Sequence, residues 1–84
     1  MSSEQEFKDA QARVKTLTKR PGNDELLKLY GLFKQATEGD SSGKRPGVFD
    51  LKGRAKFDAW AALRGQGKDT AMTQYVALVN RLLG

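Results

Sequence analysis

The sequence predicts an all-α domain of four helices, and three observations carry that prediction. Apolar residues recur at helical spacing in four separate segments. No stretch alternates apolar and polar residues as a half-buried strand would. The segments are parted by glycine and proline clusters, at Pro21-Gly22, at 39–47 and at Gly65-Gln66-Gly67. At 84 residues with 38% hydrophobic and 30% charged composition, the chain is expected to form one domain over 1–84 with a thin core.

The first helix opens at Ser3-x-x-Glu6, the spacing of a capping box, and is expected to run to about Leu17. Phe7, Ala10, Val14 and Leu17 fall on one arc of about 80°. The turn Arg20-Pro21-Gly22-Asn23 then breaks the chain, with Asn23 as the expected N-cap. A second helix follows from about Asp24 to Glu38, with Leu26, Leu29, Tyr30 and Phe33 on one side and Leu27 and Lys34 on its shoulder. Residues 39–52 have no helical period; a loop of that length suits a crossover between helices that need not be antiparallel neighbours. Within it, Val48 and Phe49 are expected to staple the loop to the body. A third helix is expected from about Gly53 to Arg64, with Phe57, Trp60 and Leu63 in one stripe. The last, from about Lys68 to Leu83, carries an apolar arc wide enough for a central helix touching several neighbours.

Composition removes most enzyme chemistry. Without cysteine or histidine there is no disulfide, no thiol nucleophile, no Ser-His-Asp triad and neither thiolate nor imidazole, the commonest transition-metal ligand, and no cofactor is called for. Fifteen Lys and Arg against ten Asp and Glu give a net charge of +5 and favour an anionic partner. The excess gathers at Arg13, Lys15, Lys19 and Arg20, and again at Lys44, Arg45, Lys52, Arg54 and Lys56. The polar N-terminal stretch lacks the apolar run of a secretory signal, and no run approaches the ~20 apolar residues that cross a bilayer. A soluble, cytoplasmic monomer is expected, whose contact with membranes is at most transient.

Each helix places an amphipathic or cationic side chain at the rim of its core face. Tyr30 and Lys34 are four apart on the second helix and meet. Lys56 lies four before Trp60, so its stem can cover apolar surface while its ammonium stays wet. Lys15 borders the stripe of the first helix, and Tyr75 sits in the arc of the last with a hydroxyl that needs a partner if buried. Such an arrangement suits a ligand with an anionic head and an apolar tail. On pattern alone, aromatics spaced like Tyr30, Phe33 and Tyr75 more often belong to a plain core, and Gly31 and Gly53 could serve close helix approach.

The stretch Tyr30-Gly-Leu-Phe-Lys-Gln-Ala-Thr-Glu-Gly-Asp40 resembles the signature of the acyl-CoA-binding protein family. Arg45-Pro46-Gly47 and Asp50-Leu-Lys-Gly-Arg-Ala-Lys-Phe-Asp-Ala-Trp60 follow in that family's order and spacing, and Leu63, Gly65, Ala71-Met72 and Tyr75 continue the match. Phe33 and Phe57 depart from it, standing where many members have tyrosine and tryptophan. The resemblance implies a four-helix bundle of up-down-down-up topology with the long loop as crossover. It implies non-catalytic binding, transport and buffering of medium- to long-chain fatty acyl-CoA thioesters. By position, it assigns ligand binding to Lys15, Tyr30, Lys34, Lys52, Lys56 and Tyr75. The segment Tyr30, Gly31, Leu32, Phe33 and Lys34 would line the site, with Leu27 helping to cover the acyl chain. Tyr30, Lys34 and Lys56 would hold the ribose 3′-phosphate and its surroundings.

The chemistry is consistent with this. Lysines match phosphates as mobile point charges. An acyl tail gains about 0.8 kcal/mol per buried methylene, so ten methylenes offer roughly 8 kcal/mol before entropic costs. The alternative is a small basic nucleic-acid-binding helical domain, which the charge favours. It lacks a helix-turn-helix spacing, zinc ligands or an aromatic strand platform, so no nucleic acid is expected as partner. A thioester hydrolase would need an activated nucleophile, and Ser2, Ser3, Ser41 and Ser42 have no histidine to activate them.

Overall fold

The computed structural model describes residues 3–84, with side chains from Glu4 onward. Ser2 and the side chain of Ser3, and with it the expected capping box, lie outside the described residues. Four helices are present and, among those residues, no strand: α1 (Ser3–Val14), α2 (Asn23–Glu38), α3 (Leu51–Ala61) and α4 (Lys68–Leu83). None is long and apolar enough to cross a membrane.

Four boundaries differ from the sequence reading, each for a local reason. Helix α1 ends at Val14, three residues early. The amides of Lys15, Thr16 and Leu17 bond to carbonyls three back, and the Thr16 hydroxyl donates to the Arg13 carbonyl at 2.6 Å. A hydroxyl that competes for helix carbonyls in this way tightens and stops the last turn. At the start of α2 the cap is Gly22, in extended conformation and without a side-chain bond, so Asn23 is the first helical residue rather than the N-cap. Helix α3 starts at Leu51 rather than Gly53, because Asp50 caps it: its carboxylate accepts from the Gly53 amide at 3.0 Å. A Cβ on Gly53 would collide with that carboxylate, so the glycine is part of the cap and not a boundary. The same helix ends at Ala61, since Leu63 and Arg64 bond three residues back and Gly65 turns the chain at φ 96°.

Direction follows from which residues face each other. Residues 26–30 of α2 face 51–56 of α3, and the C-terminal ends of both helices meet where Trp60 Nε1 donates to the Gly39 carbonyl at 2.7 Å. These two helices are therefore parallel. Along α1 and α4, residues 4–11 face 68–72 and residues 16–19 face 82–83, again parallel. Between α2 and α4, Ala36 and Thr37 lie by Lys68 and Met72 while Lys28 and Leu32 lie by Leu78 and Arg81, which is antiparallel. The topology is up-down-down-up. A parallel α2–α3 pair needs a connection that returns along the length of a helix, and residues 39–50 supply it.

By backbone proximity the helices form a row, α1 against α4, α4 against α2, α2 against α3. The core fills the first three: Phe7 and Ala10 from α1, Leu29, Leu32 and Ala36 from α2, Ala71, Tyr75, Leu78 and Val79 from α4. Phe7 stacks edge-on against Tyr75, with ring centroids 5.0 Å apart. Central position is thus shared by α4 and α2.

The crossover is fastened at its beginning. Gln35, fully buried, donates through Nε2 to Asp40 Oδ1 at 2.9 Å and to the Gln66 carbonyl at 2.8 Å. Asp40 Oδ1 also accepts from the Gly65 amide at 2.8 Å, Arg64 donates to the carbonyl and hydroxyl of Ser41, and Arg45 grips Asp58 through two hydrogen bonds. Its far end is different. Val48 is 63% exposed and Phe49 96%, so the expectation that they staple the loop down is wrong. No apolar surface reaches them, because the turn closed by the Asp50 amide on the Gly47 carbonyl stands away from the body.

Candidate functional site

The site is set by how closely α2 and α3 approach. A Cβ on Gly31 would stand 2.7 Å from the Ala59 carbonyl oxygen, so only glycine admits that backbone contact. On either side of it the two helices exchange a cation and an aromatic ring. Lys56 of α3 lies over the Tyr30 ring of α2, 5.4 Å from its centroid. One turn further on, Lys34 of α2 lies over the Trp60 ring of α3 at 4.9 Å. Lys34 is also ion-paired with Glu38, which raises its pKa and keeps it protonated.

Toward the N-terminal ends the same pair of helices opens into a groove of about 430 Å³. Its walls are Leu26, Leu27 and Tyr30 from α2 and Leu51, Lys52, Ala55 and Lys56 from α3, with Arg20 and Asn23 at the rim. Three cations therefore border a floor of leucine and alanine, within the size range of ligand clefts. The groove is charged and apolar at once.

Of the residues marked in the sequence, the structure brings Leu27, Tyr30, Lys52 and Lys56 together in this groove, with Lys34 one turn along the same seam. Gly31 lies beneath, as the contact that sets the seam. The others lie elsewhere. Leu32 is 1% exposed and packs in the core toward α4. Phe33 sits on the other side of α2 with its ring 6.0 Å from that of Phe7. Tyr75 is buried against Phe7, and its desolvated hydroxyl is pushed above its ordinary pKa, so it is neutral. Lys15 is exposed in the turn after α1 and does not line the groove.

Arg20, Leu26, Leu51 and Ala55 line the groove without having been singled out for it. A signal for two of them was present: Leu51 and Ala55 are four apart, and Lys52 and Lys56 likewise, so starting α3 two residues earlier would have put all four on one wall. Arg20 precedes its helix and has no periodicity to reveal it.

Four helices with one amphipathic seam have the form of a small-ligand-binding bundle. Comparison with known proteins makes the class specific. A family model described as acyl-CoA-binding protein matches residues 4–79. Acyl-CoA-binding protein homolog 1 of Caenorhabditis elegans is 58% identical over 77 residues, which cover 92% of this chain and 90% of that one. Crystalline Oryza sativa acyl-CoA-binding protein 2 superposes with a TM-score of 0.92 at 44% identity, covering 96% of this chain and 88% of that one. Rat enoyl-CoA delta isomerase 2 is 49% identical over 81 residues, but those are only 21% of its length. The chain belongs to the acyl-CoA-binding protein family. No relative named here is a nucleic-acid-binding protein, and the basic-domain alternative has nothing to support it.

Proposed function

We propose that the α2–α3 seam binds fatty acyl-CoA thioesters of medium to long chain and that the protein carries and buffers them in the cytoplasm, as a single domain and a monomer. The observation that carries this reading is the placement of Arg20, Lys52, Lys56 and the Tyr30 ring around a leucine-lined groove. Lys56, Lys52 and Lys34 would meet the phosphates, and Leu26, Leu27, Leu51 and Ala55 would cover the chain.

Binding proceeds without turnover. The groove lining holds no carboxylate, and its one hydroxyl is the Tyr30 phenol. Ser41, near the helices' far ends, is buried under Arg64 and already hydrogen-bonded, and the exposed Ser42 beside it has no histidine to activate it. Family relatives such as the rat isomerase join a segment like this one to a much longer enzyme, whose chemistry belongs to that protein.

Titration calorimetry with palmitoyl-CoA, free CoA and free palmitate tests the reading. Tight binding of the thioester alone supports it, because head and tail are then read together. Equal binding of palmitate, or none of the three, defeats it. Sustained release of free thiol from palmitoyl-CoA would remove the carrier claim while leaving the groove in place.

A further inference from the structure

The outward turn of the crossover loop is the feature that ligand binding leaves unexplained. Phe49 is 96% exposed, Val48 63% and Leu51 74%, three large apolar side chains within four residues of a small chain. Isolated exposed apolar residues are ordinary, but a cluster at one tip marks a contact surface. The tip is held in shape: the Asp50 amide closes the turn on Gly47, and the Asp50 carboxylate is committed to the Gly53 amide. Phe49 is therefore presented outward by a hydrogen-bonded turn.

Charge selects the partner. Lys52 and Lys56 are exposed beside Leu51 on the groove wall, Lys44 is exposed earlier on the same loop, and none of them is in an ion pair among the described residues. The two acids of the segment are occupied, Asp50 by its cap and Asp58 by Arg45. A second copy of the chain would bring the same cations against one another, at a net charge of +5 each. An anionic lipid surface accepts both components at once, lysines at the headgroups and aromatic and aliphatic tips in the interfacial layer.

We propose that the Val48–Phe49–Leu51 turn and the lysines beside it form a docking surface for anionic membranes. Leu51 is common to the tip and to the groove wall, so a docked chain would have its groove opening toward the lipid. Attachment through one small tip and a few lysines is weak and reversible. It requires no bound acyl-CoA, so it stands or falls separately from the ligand proposal.

The experiment is sedimentation of the ligand-free protein with two sets of vesicles, phosphatidylcholine alone and phosphatidylcholine with about one-third phosphatidylserine. Binding is expected only to the anionic set, falling as salt rises from about 50 to 500 mM. Phe49→Asp is expected to lower partitioning about tenfold. Phe49 does not line the groove, so palmitoyl-CoA affinity and unfolding midpoint should stay unchanged. Phe49→Trp supplies a second readout: its added fluorescence, taken as the difference from the unsubstituted chain, should shift to the blue on anionic vesicles. Equal binding to both vesicle sets, partitioning indifferent to Phe49→Asp, or an unshifted Phe49→Trp would each overturn the proposal. So would concentration-dependent self-association abolished by Phe49→Asp, which would assign the tip to a second copy.

Discussion

Helix α2 borders two regions built on opposite terms. Toward α4 its Leu29, Leu32 and Ala36 join Leu78 and Val79 in a close-packed interior. Toward α3 it meets a seam where cations lie on rings and a groove stays open. On the first side the contact energy comes from apolar area and good fit. On the second, backbone approach at Gly31 holds the helices together while the side chains beside it are left free to receive something. Stability and ligand capacity are thus divided between two faces of one helix, and each can be attacked separately.

The sharpest way to break the division is Leu32→Ala. Leu32 is 1% exposed in the core, so its truncation should cost about 2–5 kcal/mol in urea unfolding. Acyl-CoA affinity, measured where the variant is still folded, should be close to that of the parent. A large affinity loss instead would return Leu32 to the site, as the family pattern suggests. Gly31→Ala strikes the border itself. Its Cβ must displace the Ala59 backbone, so about 1–3 kcal/mol of stability should go together with a measurable loss of affinity.

Lys56→Ala acts on the seam alone. Losing one charged contact to phosphate should weaken acyl-CoA binding by about 2 kcal/mol, roughly thirtyfold, with the unfolding midpoint almost unmoved. Unchanged calorimetric affinity would remove Lys56 from the site.

The smallest effect concerns the fastening of the crossover. The Gly65 amide and then Gln35 hold the Asp40 carboxyl below its ordinary pKa of 3.8, and Arg45 does the same for Asp58. Both folded-state values are depressed, so their contribution is complete above about pH 4 and is lost as pH falls through the lowered values. Unfolding midpoints measured from pH 5 down to pH 2 should therefore decline, and Asp40→Asn should make the decline shallower. An identical pH profile in the variant would show that Asp40 stays charged or uncharged alike in both states.

The same division explains what could be read from the sequence. Helix α4 was legible to the residue, because its apolar arc is long and glycines stand just outside both ends. On α2, apolar spacing merged the two faces. Leu26, Leu29, Tyr30 and Phe33 share an arc of about 100°, yet Leu29 belongs to the core, Leu26 and Tyr30 to the groove, and Phe33 to the flank beside α1. The true core face is completed by Gln35, a polar residue that no hydrophobic count includes and that is fully buried because its amide joins the crossover to the Gln66 carbonyl. The groove residues Tyr30, Lys52 and Lys56 were legible through family motifs, whereas Arg20 showed only as one of a cluster of basic residues. Phe49 was misjudged because the sequence does not show which way a turn points.

The row of helices has a kinetic consequence. Helix α3 comes close to α2 alone, while α2 and α4 each have two neighbours. Its amides are therefore expected to exchange with deuterium sooner than those of α4, by a partial opening in which α3 departs and the remaining three helices keep their interior. Such an opening would widen the cleft along its whole length and release a long occupant sideways, with no need for it to be drawn out through one end.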